Sequence, residues 1–256
     1  MALWIRCADL VDRRILLAAF AWTALGLISG TTARAQQEAV ILPPPLHIHV
    51  IAACKEYEAE TSLKKWAKDY VNQRDVRVTF SVGQDGDEDL PNLDEVAKAD
   101  LLVLFARRLK LKPEPLAKIA ARWEAGKPIL GLRTASHAFD NETNALLDGQ
   151  VFGGAYQNHL GDLPVEVTSR EPAKNSPLLE GFRPFKSSKL YKQGELSDTA
   201  TVLLDGRTGD ETYPVAWTHE YRGGRMLYTS LGVQSDFEDP NFLRLLDIAV
   251  RWLTAN

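Results

Sequence analysis

Between His47 and Arg133 the chain alternates apolar runs with amphipathic stretches at a spacing that few folds satisfy. "HIHVIAA", "RVTFSVG", "DLLVLFA" and "PILGLR" are separated by "EAETSLKKWAKDYVNQ", a short "NLDEVAKA" and "EPLAKIAARWEAG". Leu63, Trp66, Ala67 and Tyr70 recur at helical spacing, as do Leu116, Ile119, Ala120 and Trp123, so each helix has one apolar face to bury. Strand, helix, strand in this rhythm predicts an α/β domain in which helices sandwich a mostly parallel central sheet. Gly126 closes one helix and Pro128 opens the next strand.

The second half is richer in strands, with "LPVEVTS", "ATVLLDG", "YPVAWTHEY" and "RMLYTSLG". The last two are joined by "RGG", a hairpin signal. A terminal helix follows from Pro240, with Leu243, Leu246, Ile248, Val250 and Trp252 as its apolar candidates. Residues 47–256 read as one domain.

The first 35 residues differ in kind. Arg6, Arg13 and Arg14 precede the 16-residue apolar run "ILLAAFAWTALGLISG", and "ARA" ends at Ala35. This is the pattern of an exported protein's signal peptide, and the run is shorter than the roughly 20 residues a spanning helix needs. An uncleaved anchor is the alternative. Residues 36–46, with "LPPPL", read as a Pro-rich linker. Cleavage would remove four arginines and two aspartates and carry the formal charge from −4 to −6. That balance argues against nucleic acid or an anionic membrane as partner. Cys7 would leave with the leader, and Cys54, in an apolar run, reads as a buried thiol.

In an open parallel sheet, ligands bind beyond the carboxyl ends of the strands. Those ends carry Glu56, Tyr57 and Glu58; then Arg107 and Arg108; then Arg133, Thr134, Ser136 and His137. Arg133 occupies the strand-to-turn position where α/β enzymes often hold a nucleophile, and a guanidinium attacks nothing. It reads instead as a group that holds an anion or carbonyl, or as a structural partner of Glu56 or a backbone carbonyl. His137 is a candidate proton carrier or a core histidine. Glu56 is a candidate base, an orienting group for Arg133, or a helix N-terminal acid. Arg107 is a substrate contact or a solvated loop charge. "VFGGAYQNHLG", residues 151–161, reads as a binding loop offering Tyr156 and His159, or as a plain turn. His47 and His49 share one side of the opening strand but lie at its far end, and His219 reads as structural. No ligand spacing calls for a metal or cofactor, although a metal held by His137, His159 and an acid is a third alternative.

The segments "AGKPILGLRTASHAF", "VFGGAYQNH", "PFKSSKLY", "YPVAWTHEYRGGRMLYTSLG" and "DFEDPNFLRLLDIAVRW" occur in an order that resembles the ThuA-like (trehalose utilisation) family. The resemblance implies a three-layer, class I glutamine amidotransferase-like (flavodoxin-like) fold. Relatives with amidotransferase activity carry an elbow cysteine where this chain has Arg133, so thioester chemistry is excluded. Many ThuA-like proteins carry histidine there; the family commonly has histidine at the place of Val233 and an acid at the place of Lys189. His137, His159, Tyr191 and Gln234 match segments that surround the family's cleft. The implied ligand is a carbohydrate, bound by Arg107, Tyr57, Ser136, Tyr156, Tyr191 and Gln234. A hydrolase or lyase using Arg133, His137, His159 and Glu56 is one reading; a non-catalytic sugar- or anion-binding module is the other.

Overall fold

The computed structural model describes residues 45–255, apart from Gln73 and Pro172. The leader read over residues 1–35 and the linker up to residue 44 lie outside the described residues. In chain order the first half runs β1 (Leu46–Ala53), α1 (Ala59–Val71), β2 (Val76–Val82), α2 (Glu95–Lys98), β3 (Leu101–Ala106), α3 (Pro113–Glu124) and β4 (Ile129–Leu132). A 3-10 turn, Arg133–His137, then leads to α4 (Thr143–Leu146) and a π turn, Leu147–Val151. The second half contains β5 (Tyr156–His159), β6 (Pro164–Ser169), β7 (Phe185–Ser188), β8 (Tyr191–Gln193), β9 (Thr201–Thr208), β10 (Glu211–Tyr221) and β11 (Gly224–Thr229). A 3-10 turn, Gln234–Glu238, and α5 (Pro240–Thr254) complete it.

Nine strands form one sheet in the order β2-β1-β3-β4-β11-β10-β9-β6-β7. The pairings from β2 to β11 are parallel, and those from β11 to β7 are antiparallel. The sheet is therefore mixed, less parallel than the alternation in the first half suggests. The reason lies in the connections. Helical crossovers return a strand parallel to its neighbour, whereas short turns can only join antiparallel strands. The β10–β11 turn is the tightest: Tyr221 pairs with Gly224, and Arg222 and Gly223 both have positive φ, at 50° and 76°. That is the backbone a two-residue hairpin demands.

Successive strand residues point to opposite faces, so the sheet carries two cores. Ile48, Val50 and Ala52 pack with Leu63, Trp66, Ala67 and Tyr70 of α1 and with α5; Ile51 and Ala53 pack with Ile119 and Trp123 of α3. The buried residues of α5 are Phe242, Leu245, Leu246, Ile248, Ala249, Val250 and Leu253, mostly at three-four spacing. Of the expected residues Leu246, Ile248 and Val250 are buried, while Leu243 and Trp252 are partly buried at the edge of the core.

The chain steps from β1 outward to β2 and then back across to β3. This reversal opens a crevice at the carboxyl ends of β1 and β3, next to β4. A separate antiparallel pair, β5 with β8, brings His159 opposite Tyr191.

Candidate functional site

The turn after β4 is sharp, and its first residue takes the left-handed region: Arg133 has φ 48°. A side chain there is strained, so neighbours must hold it. Two contacts do. The Tyr228 hydroxyl donates to the Arg133 carbonyl at 2.6 Å, and Arg133 Nη1 donates to the Ser230 carbonyl, just past β11, at 2.6 Å. The guanidinium, 1% exposed, lies between two phenol rings, 4.5 Å from the Tyr57 centroid and 4.3 Å from that of Tyr191. Its Nη2 donates a long bond to Tyr57 Oη at 3.4 Å, and its Nε has no hydrogen-bond partner. Cation–π contact with two rings thus replaces a carboxylate as its partner.

Tyr191 links this cation to the next layer. His137 stacks on Tyr156 with centroids 4.6 Å apart, and both rings lean on Tyr191, at 5.9 and 4.8 Å. Ser136, buried behind His137, places Oγ 3.1 Å from His137 Nδ1. Burial, then the positive charges of Arg107, Arg108 and Arg133, push the His137 imidazole down to about 3. It is neutral throughout the physiological range. His137 is therefore a hydrogen-bonding group, with no proton in store to donate as an imidazolium.

The remaining expected residues lie around this cluster at different depths. Arg107 Nε lies 3.1 Å from a Glu56 oxygen, and its Nη1 is paired with Asp85. Glu56, exposed at the rim, thus serves Arg107, with no contact to Arg133. His159 is exposed, its ring 6.4 Å from Tyr191. Gln234 is exposed on the 3-10 turn that follows β11. Tyr57, Arg133, His137, Tyr156 and Tyr191 therefore form one contiguous group, with Ser136 behind it and the others at its margin.

Cys54 is buried at the end of β1, and burial raises its thiol above the ordinary value. It is no substitute for the elbow thiol. His219 is satisfied at both nitrogens, by the Gln150 carbonyl at 3.0 Å and Thr199 Oγ1 at 3.1 Å. Among the described residues no group of three or more His, Cys, Asp or Glu side chains is placed to hold a metal ion.

Three neighbours were not among the expected site residues. Lys189, noted only as a departure from the family, has φ 57° and sets its Nζ 5.2 Å from the Tyr57 centroid and 3.3 Å from Asp162. Asp85 pairs with Arg107. Asp148, buried in the π turn, accepts the Tyr156 N–H at 2.9 Å. The "GG" of residues 153–154 was the available signal for it. A Cβ on Gly153 would sit 2.9 Å from the His219 ring, and one on Gly154 2.5 Å from Asp148 Oδ1. The glycines serve close approach as well as turning. The segment read as a loop is also partly strand, since β5 begins at Tyr156.

Comparison with known proteins places this geometry. The family model described as "ThuA: Trehalose utilisation" matches residues 49–253. A ThuA-like protein from Bacteroides uniformis ATCC 8492 superposes with a TM-score of 0.62 at 15% identity, covering 84% of this chain and 94% of that one. A ThuA-like protein from Parabacteroides merdae ATCC 43184 gives 0.63 at 14%, covering 82% and 90%. The carbohydrate deacetylase Agd3 gives 0.50 at 12%, covering 82% of this chain and 32% of that one. No curated protein matches.

Proposed function

The chain belongs to the ThuA family, and from that premise we propose that it is an exported protein that binds a carbohydrate beyond the carboxyl ends of β1, β3 and β4 and acts on it as a hydrolase or lyase. One observation carries the reading: the elbow holds a buried guanidinium flanked by tyrosines, with a neutral histidine stacked beside it. Phenol rings suit the apolar faces of a sugar ring, and a neutral imidazole suits its hydroxyls. A fixed cation nearby stabilises negative charge that develops on a substrate oxygen without changing its own protonation. The helices packed on each face of the sheet support the three-layer, amidotransferase-like arrangement. With no thiol at the elbow, glutamine hydrolysis is not part of the proposal. The likeness to a carbohydrate deacetylase is one of fold, and function must rest on the site.

The depth of Arg133 and the low basicity of His137 favour a second reading, a sugar-binding module without turnover. Incubating the protein with a panel of glycosides and keto-glycosides, and following products by mass spectrometry, separates the two. Product formation is expected. Thermal stabilisation by a sugar with no product would leave the binding module, and neither effect would remove carbohydrate from the proposal. Export is tested by the N-terminal sequence of the protein recovered outside the cytoplasm, which is expected to begin after Ala35.

A further inference from the structure

Beside the Tyr156 backbone lies an open cleft of about 630 Å³, lined by Ser136, Asp140, Asn144, Asp148, Gly154 and Tyr156 among others. That volume falls in the range of small-ligand sites, roughly 300–1,000 Å³. Among the described residues its charged lining residues are Asp148 and Asp140, the latter 3.8 Å from Lys110 Nζ.

Asp148 is the unusual member. It is nine-tenths buried, its Oδ2 is committed to the Tyr156 N–H, and its Oδ1 has no hydrogen-bond partner. An unpaired buried oxygen of this kind costs about 1–3 kcal/mol and calls for an explanation. Burial pushes the carboxyl up to about 6, so at neutral pH it is ionised and purely an acceptor. A Cβ on Gly154 would lie 2.5 Å from the same oxygen, so only glycine lets the backbone pass this close to it. Asn144 is spoken for: its Oδ1 accepts from the Phe139 N–H and its Nδ2 donates to the Ser136 carbonyl.

We propose that this cleft is the subsite for an uncharged sugar ring, with Asp148 as the buried acceptor for one of its hydroxyls. The inference rests on the carbohydrate reading above and adds to it a residue and a charge selectivity. An ionised Asp148 carboxylate is acceptor-only, so it takes hydroxyl donors and repels a carboxylate on the ligand.

The test uses the full chain, with trehalose, methyl α-glucoside and glucuronate as probes in calorimetric titrations. The two neutral sugars are expected to bind, with glucuronate weaker by about tenfold or more. In Asp148→Asn the amide oxygen can still accept from Tyr156, but the other position becomes a donor. Neutral-sugar affinity is expected to fall about tenfold or more, and the preference over glucuronate to narrow, with an unchanged circular dichroism spectrum. If Asp148→Asn fails to fold, Gly154→Ala, which crowds Oδ1 while keeping the carboxylate, is expected to show the same loss. Equal affinity of the folded variant and the wild type for the neutral sugars overturns the role of Asp148 and leaves the carbohydrate reading standing. Binding of none of the three sugars to the wild type overturns both.

Discussion

His49 is a residue whose neighbours dictate its protonation atom by atom, and its pH response follows from them. The imidazole is fully buried, with Nε2 3.0 Å from Ser81 Oγ and Nδ1 2.8 Å from Thr79 Oγ1. Ser81 donates its own proton to the Pro91 carbonyl at 2.5 Å, so toward His49 it can only accept, and Nε2 carries the hydrogen. Nδ1 is then the acceptor for the Thr79 hydroxyl, which in turn accepts from His47 Nε2 at 2.8 Å. A second proton on His49 would face a hydroxyl proton head-on. Burial, and then the His47 charge, lower its pKa from 6.5 to about 4, with Glu95 opposing and Arg122 adding to the shift. Because the folded value lies below the unfolded one, unfolded chains take up a proton that folded chains refuse. The stabilisation is complete above pH 6.5 and is lost as pH falls toward 4. The full shift corresponds to about 3 kcal/mol, of which about 2 kcal/mol is gone by pH 5. Urea unfolding followed by tryptophan fluorescence at pH 7 and pH 5, on the wild type and His49→Gln, isolates the effect. His137 and the carboxylates titrate in both proteins and cancel in the difference. The wild type should lose about 2 kcal/mol more than the variant. Equal losses would refute the lowered basicity of the buried imidazole.

The elbow and its neighbours give further expectations. Arg133→Ala and His137→Ala should each abolish turnover of any glycoside the protein processes while the far-ultraviolet spectrum stays native; full activity in both would remove them from the site. Gly131→Ala sets a Cβ 2.6 Å from Phe152 Cζ and 3.0 Å from Tyr228 Cδ2, both buried rings. Thermal and urea unfolding should register a loss of about 1–3 kcal/mol, and a neutral result would mean that this core yields easily.

Much of the scaffold was legible because it obeys a simple period. Leu63, Trp66, Ala67 and Tyr70 all reach the core expected of them, and the "RGG" turn joins the two strands it was expected to join. The strands missed, β5, β7 and β8, are three or four residues long and mostly polar or aromatic, too short for a period of two to declare itself. At the site, strand ends located Tyr57, Arg107, Arg133 and His137, because the carboxyl edge of a parallel sheet follows from topology alone. Side-chain partnership does not. Glu56 lies nearest in sequence to Tyr57 yet pairs with Arg107, and the charge on Arg133 is met by rings. Asp148 was hidden for a related reason: its meaning depends on which oxygen lacks a partner, which no spacing encodes.

The elbow argues for a displaced centre of chemistry. Its strained backbone persists, but the residue placed there turns inward, bonding to the end of the neighbouring strand at Ser230 and filling the space between Tyr57 and Tyr191. On the proposed reading Arg133 forms the floor of the site, a ligand meets the rings before the cation, and reactive contact passes outward to groups that can still exchange or accept a proton. His137 is held neutral first by burial and then by the charges of Arg107, Arg108 and Arg133. Asp148, bonded to the Tyr156 N–H and raised to about 6 by burial, is a group lining the cleft whose protonation changes close to neutrality. Replacing a nucleophile with a cation at one position thus does more than delete a step. It adds to the burial and the neighbouring arginines that lower the basicity of His137, and Asp148 is left as a carboxyl that titrates near neutrality.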